Sequence, residues 1–334
     1  LRWIALPLFL FLTGACQGRE PVFAPAACLP PVRNSGKVVE LDSALGTIVP
    51  PGSDIQKLAT GFVFIEGPAW VEANPPSLLF TEVRRNAIYR WLPDGKIMVF
   101  RSPAFPGRTG PTGLTIDPLG RLVVCEHGNR QVTRLEKDGR RVVLVDRYQG
   151  KRLNSPNDAV YKSDGSLYFT DPPHGLRKGD LDPAKELDFN GVFRLSPEGS
   201  LRAISKAQSR PNGIAFSADE TVLYVSNSDP ANQVVMAYEA LPDGGLRNPR
   251  IFFAFPESPK RGLPDGLTTD RRGNVYAAGP GGVWILSAAG RPLGRFQLAE
   301  NPSSVAWGED GNTLYITAQT SLYRVALSAS GFIR

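Results

Sequence analysis

Six stretches of this chain repeat one pattern, and a chain built that way has few folds open to it. Each begins with a turn-like tripeptide and continues as strand, turn, strand: EGPAWVEANPPSLLFTE from Glu66, TGLTIDPLGRLVVCEH from Thr112, NDAVYKSDGSLYFTD from Asn157, NGIAFSADETVLYVSN from Asn212, DGLTTDRRGNVYAAG from Asp265 and SSVAWGEDGNTLYITA from Ser303. In the third copy, alternation over Asp158–Tyr161 and the run Leu167-Tyr168-Phe169 are strand signals, and Ser163-Asp164-Gly165 between them is turn chemistry. A third strand follows in every copy, and a fourth in five of them, such as KIMVF after Gly95. The aligned first residues lie 46, 45, 55, 53 and 38 positions apart. Repeats of roughly 40–50 residues with four short strands each are the signature of β-propeller blades. The expected fold is therefore all-β, a six-bladed β-propeller; a serial sandwich is the alternative, but it does not require so regular a motif.

The sixth copy runs out after its third strand. Ile55–Ala59, just ahead of the first copy, is an orphan strand; paired with the last blade it closes the ring and removes an open sheet edge. This places the propeller at 54–334. Residues 17–53, rich in Pro, Ala and Ser, read as a leader or tether. The 34 Gly and 30 Pro fit a turn-rich chain, and no long stretch carries a helical period.

Residues 1–16 read as an export signal: Arg2, then the apolar run Ile4–Leu12, then Thr13-Gly14-Ala15 before a cleavage point. The run is too short to span a bilayer. Cys16, directly after these small residues, resembles the lipidated cysteine of bacterial lipoproteins, although Thr13 stands where Leu is usual. The expectation is an exported, periplasmic protein anchored to the membrane through Cys16, with secretion after an ordinary signal as the alternative. Of three cysteines, Cys125 falls in a predicted strand and is expected to be a buried free thiol rather than bridged to Cys28. The formal charge of +6 is spread along the chain and forms no nucleic-acid stripe.

In a propeller the first strand of each blade lines the central channel, so the aligned residues meet at one mouth. Around the ring they are Glu66, Thr112, Asn157, Asn212, Asp265 and Ser303. Four of them, Glu66, Asn157, Asn212 and Asp265, are oxygen donors suited to a hard divalent ion, Ca²⁺ ahead of Mg²⁺, Mn²⁺ or Zn²⁺ because no His or Cys joins the ring. Any one Asn-Gly or Asp-Gly is an ordinary turn former; convergence on one axis is what points to a metal. The ends of the second strands add Glu126, His127, Asp171 and His174 as substrate-side candidates at the same mouth, with Asn157. No Gly-x-Ser-x-Gly elbow, His-Glu-x-x-His or Walker loop occurs. Hydrolysis here calls for a metal-polarised carbonyl or phosphoryl oxygen and a carboxylate that deprotonates water.

Taken together, EGPAW, TGLTIDPLGRLVVCEHGNRQVTR, the Asn157-Asp158 repeat, PNGIAFSADETVLYVSNSD and LPDGL resemble the gluconolactonase branch of the gluconolactonase, senescence marker protein (regucalcin) and luciferin-regenerating enzyme family. The resemblance implies metal ligands at Glu66, Asn212 and Asp265, a metal or substrate role for Asn157, and Asp265 as general base on the attacking water. It implies a small-molecule lactone as substrate, D-glucono-1,5-lactone first. Some members carry an Arg two residues before the Asn157 position; here Ser155 stands there. Another ester, another lactone or a phosphotriester as substrate, and a non-catalytic Ca²⁺-stabilised binding propeller, are the alternatives. Oligomeric state is not readable from these residues.

Overall fold

The computed structural model describes residues 28–107, 109–256 and 262–332. The expected export signal and Cys16 lie outside them. The six repeats form six antiparallel sheets around one axis. Blade one contains Ile65–Val71, Ser77–Glu82, Ala87–Trp91 and Ile97–Arg101 in that order outward, and blades two to four repeat the arrangement from Leu114, Ala159 and Pro211. Blade six begins at Pro302–Gly308 and takes its fourth strand, Gln56–Thr60, from ahead of the first repeat, with Leu322 opposite Ala59. The expected ring closure is present.

The leader is not a tether where the structure describes it. Cys28–Val32 pairs with Gln56–Thr60 as a fifth strand of blade six, and Gly36–Glu40 pairs with Pro292–Leu298 as a fifth strand of blade five. Between them and the ring, a short 3₁₀ turn at Ser43–Thr47 is capped by Asp42, whose carboxylate accepts from the Ala44 amide at 2.9 Å. The turn delivers Leu45, Ile48 and Val49 into the core shared by blades five and six, against Phe296, Trp307 and Leu314. These few apolar residues, interrupted by Gly46 and Thr47 and followed by Pro50 and Pro51, show no period in sequence; partners some 250 residues away supply the order.

Blade faces are filled by large side chains. Trp70 stacks on Tyr315 with ring centroids 5.7 Å apart, and Trp91 tilts against the same ring at 5.3 Å, locking blade one to blade six. Buried aromatics of this kind each remove 150–250 Å² from water, which makes them the dominant packing term between blades. Cys125 is buried and free, as expected.

Candidate functional site

A hydrogen bond at every blade junction fixes the aligned residues around the channel. The Thr81 hydroxyl donates to the Thr112 carbonyl at 2.9 Å, Thr112 to Asn157 at 2.8 Å, Thr170 to Asn212 at 2.7 Å and Ser226 to Asp265 at 2.7 Å. The Gly266 amide reaches the Ser303 carbonyl at 2.7 Å, and the Ser303 hydroxyl closes the circle on the Ile65 carbonyl at 2.7 Å. Thr112 and Ser303, the aligned residues without ligand character, are thus stitching hydroxyls. The residue after the aligned one must let the next blade come close: a Cβ at Gly113 would lie 2.6 Å from the Asn157 carbonyl, and one at Gly213 2.4 Å from that of Asp265.

In blades one, three and four the residue after the stitching hydroxyl does different work. Successive strand residues face opposite ways, so where Thr170 turns to the next blade, Asp171 turns to its own. Its carboxylate accepts from the Asn154 and Ser155 amides, both at 2.7 Å, and clamps the loop that delivers Asn157. Glu82 holds the Val63 and Phe64 amides ahead of Glu66 in the same way, and Asn227 holds Arg210 ahead of Asn212. Glu126 is turned into its blade, where Thr133, Gln131 and Arg141 occupy its oxygens at 2.6–2.7 Å. Asp171 and Glu126 are therefore structural groups rather than the substrate contacts expected. Burial raises the Asp171 pKa to about 7, against the lowering effect of its two amide donors.

Glu66, Asn212 and Asp265 do come together. Asp265 hydrogen-bonds both the Glu66 carboxyl and the Asn212 amide; Glu66 and Asn212 are buried and Asp265 is partly buried. Burial, then the mutual repulsion of the carboxyls, drives the Glu66 and Asp265 pKa values up. Asp158 is the third member. Burial lifts its pKa to about 7, its charge raises those of Glu66 and Asp265, and its carboxylate accepts from the Ile214 amide at 3.2 Å. It lines a cavity of about 110 Å³ along the axis with Gly67, Leu114, Leu267 and Phe332. Asp158 was missed as a site residue, yet the sequence carried a signal: the position after the aligned residue reads Gly, Gly, Asp, Gly, Gly, Ser around the ring.

No salt bridge among the described residues reaches Glu66, Asp158 or Asp265. The Asn157 side chain, next to Asp158, has no hydrogen-bond partner among them either. Buried carboxyls without cationic partners are costly, and two carboxylates with two amide oxygens fit a hard cation that completes its shell with water or substrate. No group of three His, Cys, Asp or Glu side chains is arranged as a metal cage among the described residues, so amide oxygens are needed in any such shell.

His127 and His174 meet at the rim. His127 is buried, bonds the His174 backbone carbonyl, and leaves Nδ1 without a partner; burial, then the neighbouring His174, pushes its pKa down to about 3. His174 is accessible in a protein-walled recess, with Nε2 2.8 Å from the Ser228 hydroxyl, and desolvation followed by the Arg210 charge lowers its pKa. The rim side chain open to a ligand is thus His174, with His127 behind it.

Residues 64–320 match the family model described as SMP-30/Gluconolactonase/LRE-like region. The chain is 38% identical to a gluconolactonase of Zymomonas mobilis over 89% of its own length and 87% of that protein's. It superimposes on a gluconolactonase structure from Xanthomonas campestris with a TM-score of 0.81 at 33% identity, covering 91% of this chain and 99% of that one. A calcium-binding regucalcin of Agrobacterium tumefaciens, 16% identical over 83% of this chain and 95% of its own, shares the fold at a TM-score of 0.66. With the motifs, the closed six-bladed ring and the axial cluster in agreement, the chain belongs to the SMP-30/gluconolactonase/LRE-like family.

Proposed function

We propose that this protein hydrolyses a sugar lactone, D-glucono-1,5-lactone to gluconate, with one divalent cation, Ca²⁺, held by Glu66, Asn157, Asn212 and Asp265. The observation that carries the reading is the Glu66–Asp265–Asn212 cluster, which no Lys or Arg among the described residues compensates, at the axis of a chain 38% identical to a gluconolactonase. When bound, the ion supplies Lewis-acid polarisation of the lactone carbonyl. Asp265 takes a proton from the attacking water, and its contacts with Asn212 and Glu66 fix the direction in which that carboxylate faces. The water oxygen bonds to the carbonyl carbon and the proton passes to the ring oxygen as the ring C–O bond breaks, so the ring opens to a single hydroxy acid. Asn157, on the loop whose Asn154 and Ser155 amides Asp171 holds, and with a side-chain amide unpartnered among the described residues, orients the ring oxygens of the lactone. His127 keeps the His174 loop in place through the His174 carbonyl.

The test is a pH-stat lactonase assay with chelation and metal add-back. Asp265→Asn is expected to lower kcat by a factor of about 10²–10⁴, the usual worth of a general base, while Ca²⁺ still binds weakly by calorimetry. Full turnover in that variant would remove Asp265 as the base. Metal bound without turnover of any lactone would favour a binding propeller instead. A phosphotriester in the same substrate panel separates the hydrolase alternatives.

A further inference from the structure

Floor and rim of this mouth carry opposite charge. The floor holds Glu66, Asp158 and Asp265. On the rim, Arg210 stands two residues ahead of Asn212, in the register that Ser155 occupies ahead of Asn157 and Phe64 ahead of Glu66. The three backbones are held alike: the Arg210 amide donates to Asn227 Oδ1 at 2.8 Å, that of Ser155 to Asp171 Oδ1 at 2.7 Å and that of Phe64 to Glu82 Oε1 at 3.1 Å. Ser228 fixes the Arg210 carbonyl from its amide at 2.9 Å and its hydroxyl at 3.3 Å, and the same hydroxyl is 2.8 Å from His174 Nε2. Arg210 is thereby tied to the accessible rim histidine. Its guanidinium is half-buried and has no ion pair or hydrogen bond among the described residues. Asp229 feels its charge but is not in contact with it, being engaged by the Ser209 hydroxyl at 2.6 Å. Blade one faces blade four across the ring, and there Arg84 is exposed, has no ion pair or hydrogen bond among the described residues, and is close enough to bear on His127.

We propose that this rim selects lactones bearing an anionic substituent, a carboxylate or a phosphate remote from the ring ester, with Arg210 as the specificity-determining residue and Arg84 as a second cation. The proposal rests on the lactone-hydrolase reading above. A guanidinium offers donors only, in a planar fork that matches a carboxylate or phosphate and has no acceptor to match sugar hydroxyl protons. A ligand with one charged end is therefore turned with that end to the rim and its ester toward Asp265.

Initial rates with the full-length, Ca²⁺-loaded protein decide the matter on three substrates: D-glucono-1,5-lactone, its 6-phosphate, and D-glucaro-1,4-lactone, which carries a free carboxylate. The expected result is a kcat/KM at least about tenfold higher for one or both anionic lactones at low salt, shrinking at high ionic strength as the rim charge is screened. Arg210→Ala is expected to erase that ratio mainly through KM, Arg210→Lys to restore part of it, and Arg84→Ala to reduce it less. The ratio is taken on one sample, so partial misfolding of a variant cancels. A preference for phosphate alone or carboxylate alone supports the proposal and names the group. Equal or better use of the neutral lactone by the wild type, or an unchanged ratio in Arg210→Ala, overturns it while leaving the hydrolase reading intact. Turnover of none of the three overturns the hydrolase reading itself.

Discussion

Asp158 is the side chain on which the chemistry of the axis turns. It occupies a position that is glycine in four of the six repeats, and it places a third carboxyl beside Glu66 and Asp265 with no salt-bridging cation among the described residues. Asp158→Asn keeps shape and removes charge. It is expected to weaken Ca²⁺ binding by about 10–100-fold, the usual worth of an outer-shell partner, measured by isothermal titration; unchanged affinity would assign Asp158 to packing alone. His127 makes a different prediction. Its pKa falls from 6.5 to about 3 on burial, so below pH 6.5 the unfolded chain binds a proton that the folded protein excludes. Stability is whole above that pH and is lost as pH falls toward 3, by up to about 1.4 kcal/mol per pH unit for that proton. His127→Gln is expected to flatten the acid limb of denaturant-derived stability between about pH 6 and 4, and an identical slope would exclude His127 as its source. Glu66, Asn212 and Asp265 were legible as a set because each opens a repeat. Glu126 and Asp171 were not legible as structural groups, because which way a strand's last side chain faces depends on one residue of register.

At the scale of elements, the repeat announced every blade, and the orphan strand ahead of Glu66 announced the closure. What it did not announce was the doubling of that closure. Gly36–Glu40 and Cys28–Val32 add edges to blades five and six, and the turn between them and the ring contributes Leu45, Ile48 and Val49 to the core. Short strands leave little local pattern to read, and the partner of Gly36–Glu40 lies some 250 residues away. Losing three buried aliphatic side chains at about 2–5 kcal/mol each matches the entire stability of an ordinary domain. A chain beginning at Asp54, the boundary that the repeat alone suggests, is therefore expected to lose its cooperative thermal transition or to be insoluble. A melting temperature within a few degrees of the full chain's would show that the two extra strands are ornamental.

At the scale of the whole molecule, the described residues form a single ring, and the segment before Cys28 lies outside them. We propose that this segment exports the chain and anchors it through Cys16, on the strength of Arg2, the apolar run Ile4–Leu12 and the small residues Thr13-Gly14-Ala15. In a bacterial host the protein is expected in the membrane fraction, and Cys16→Ser in the soluble periplasmic or cytoplasmic fraction; wild-type protein found only soluble would rule out the anchor.

The clasp joining the two ends of the chain also sets a timetable. Gly36 pairs with Leu298 and Thr60 with Ser321, so the strands synthesised first wait for the strands synthesised last. Until then blade six is three strands without an origin, blade five has a bare edge, and the first strands have no sheet to join. Contacts this distant in sequence are slow to form and expose unpaired edges in the interval. A ring fastened this way has no half-built resting state: it is assembled when its final strand arrives, and a chain cut short even by that strand has nothing to close.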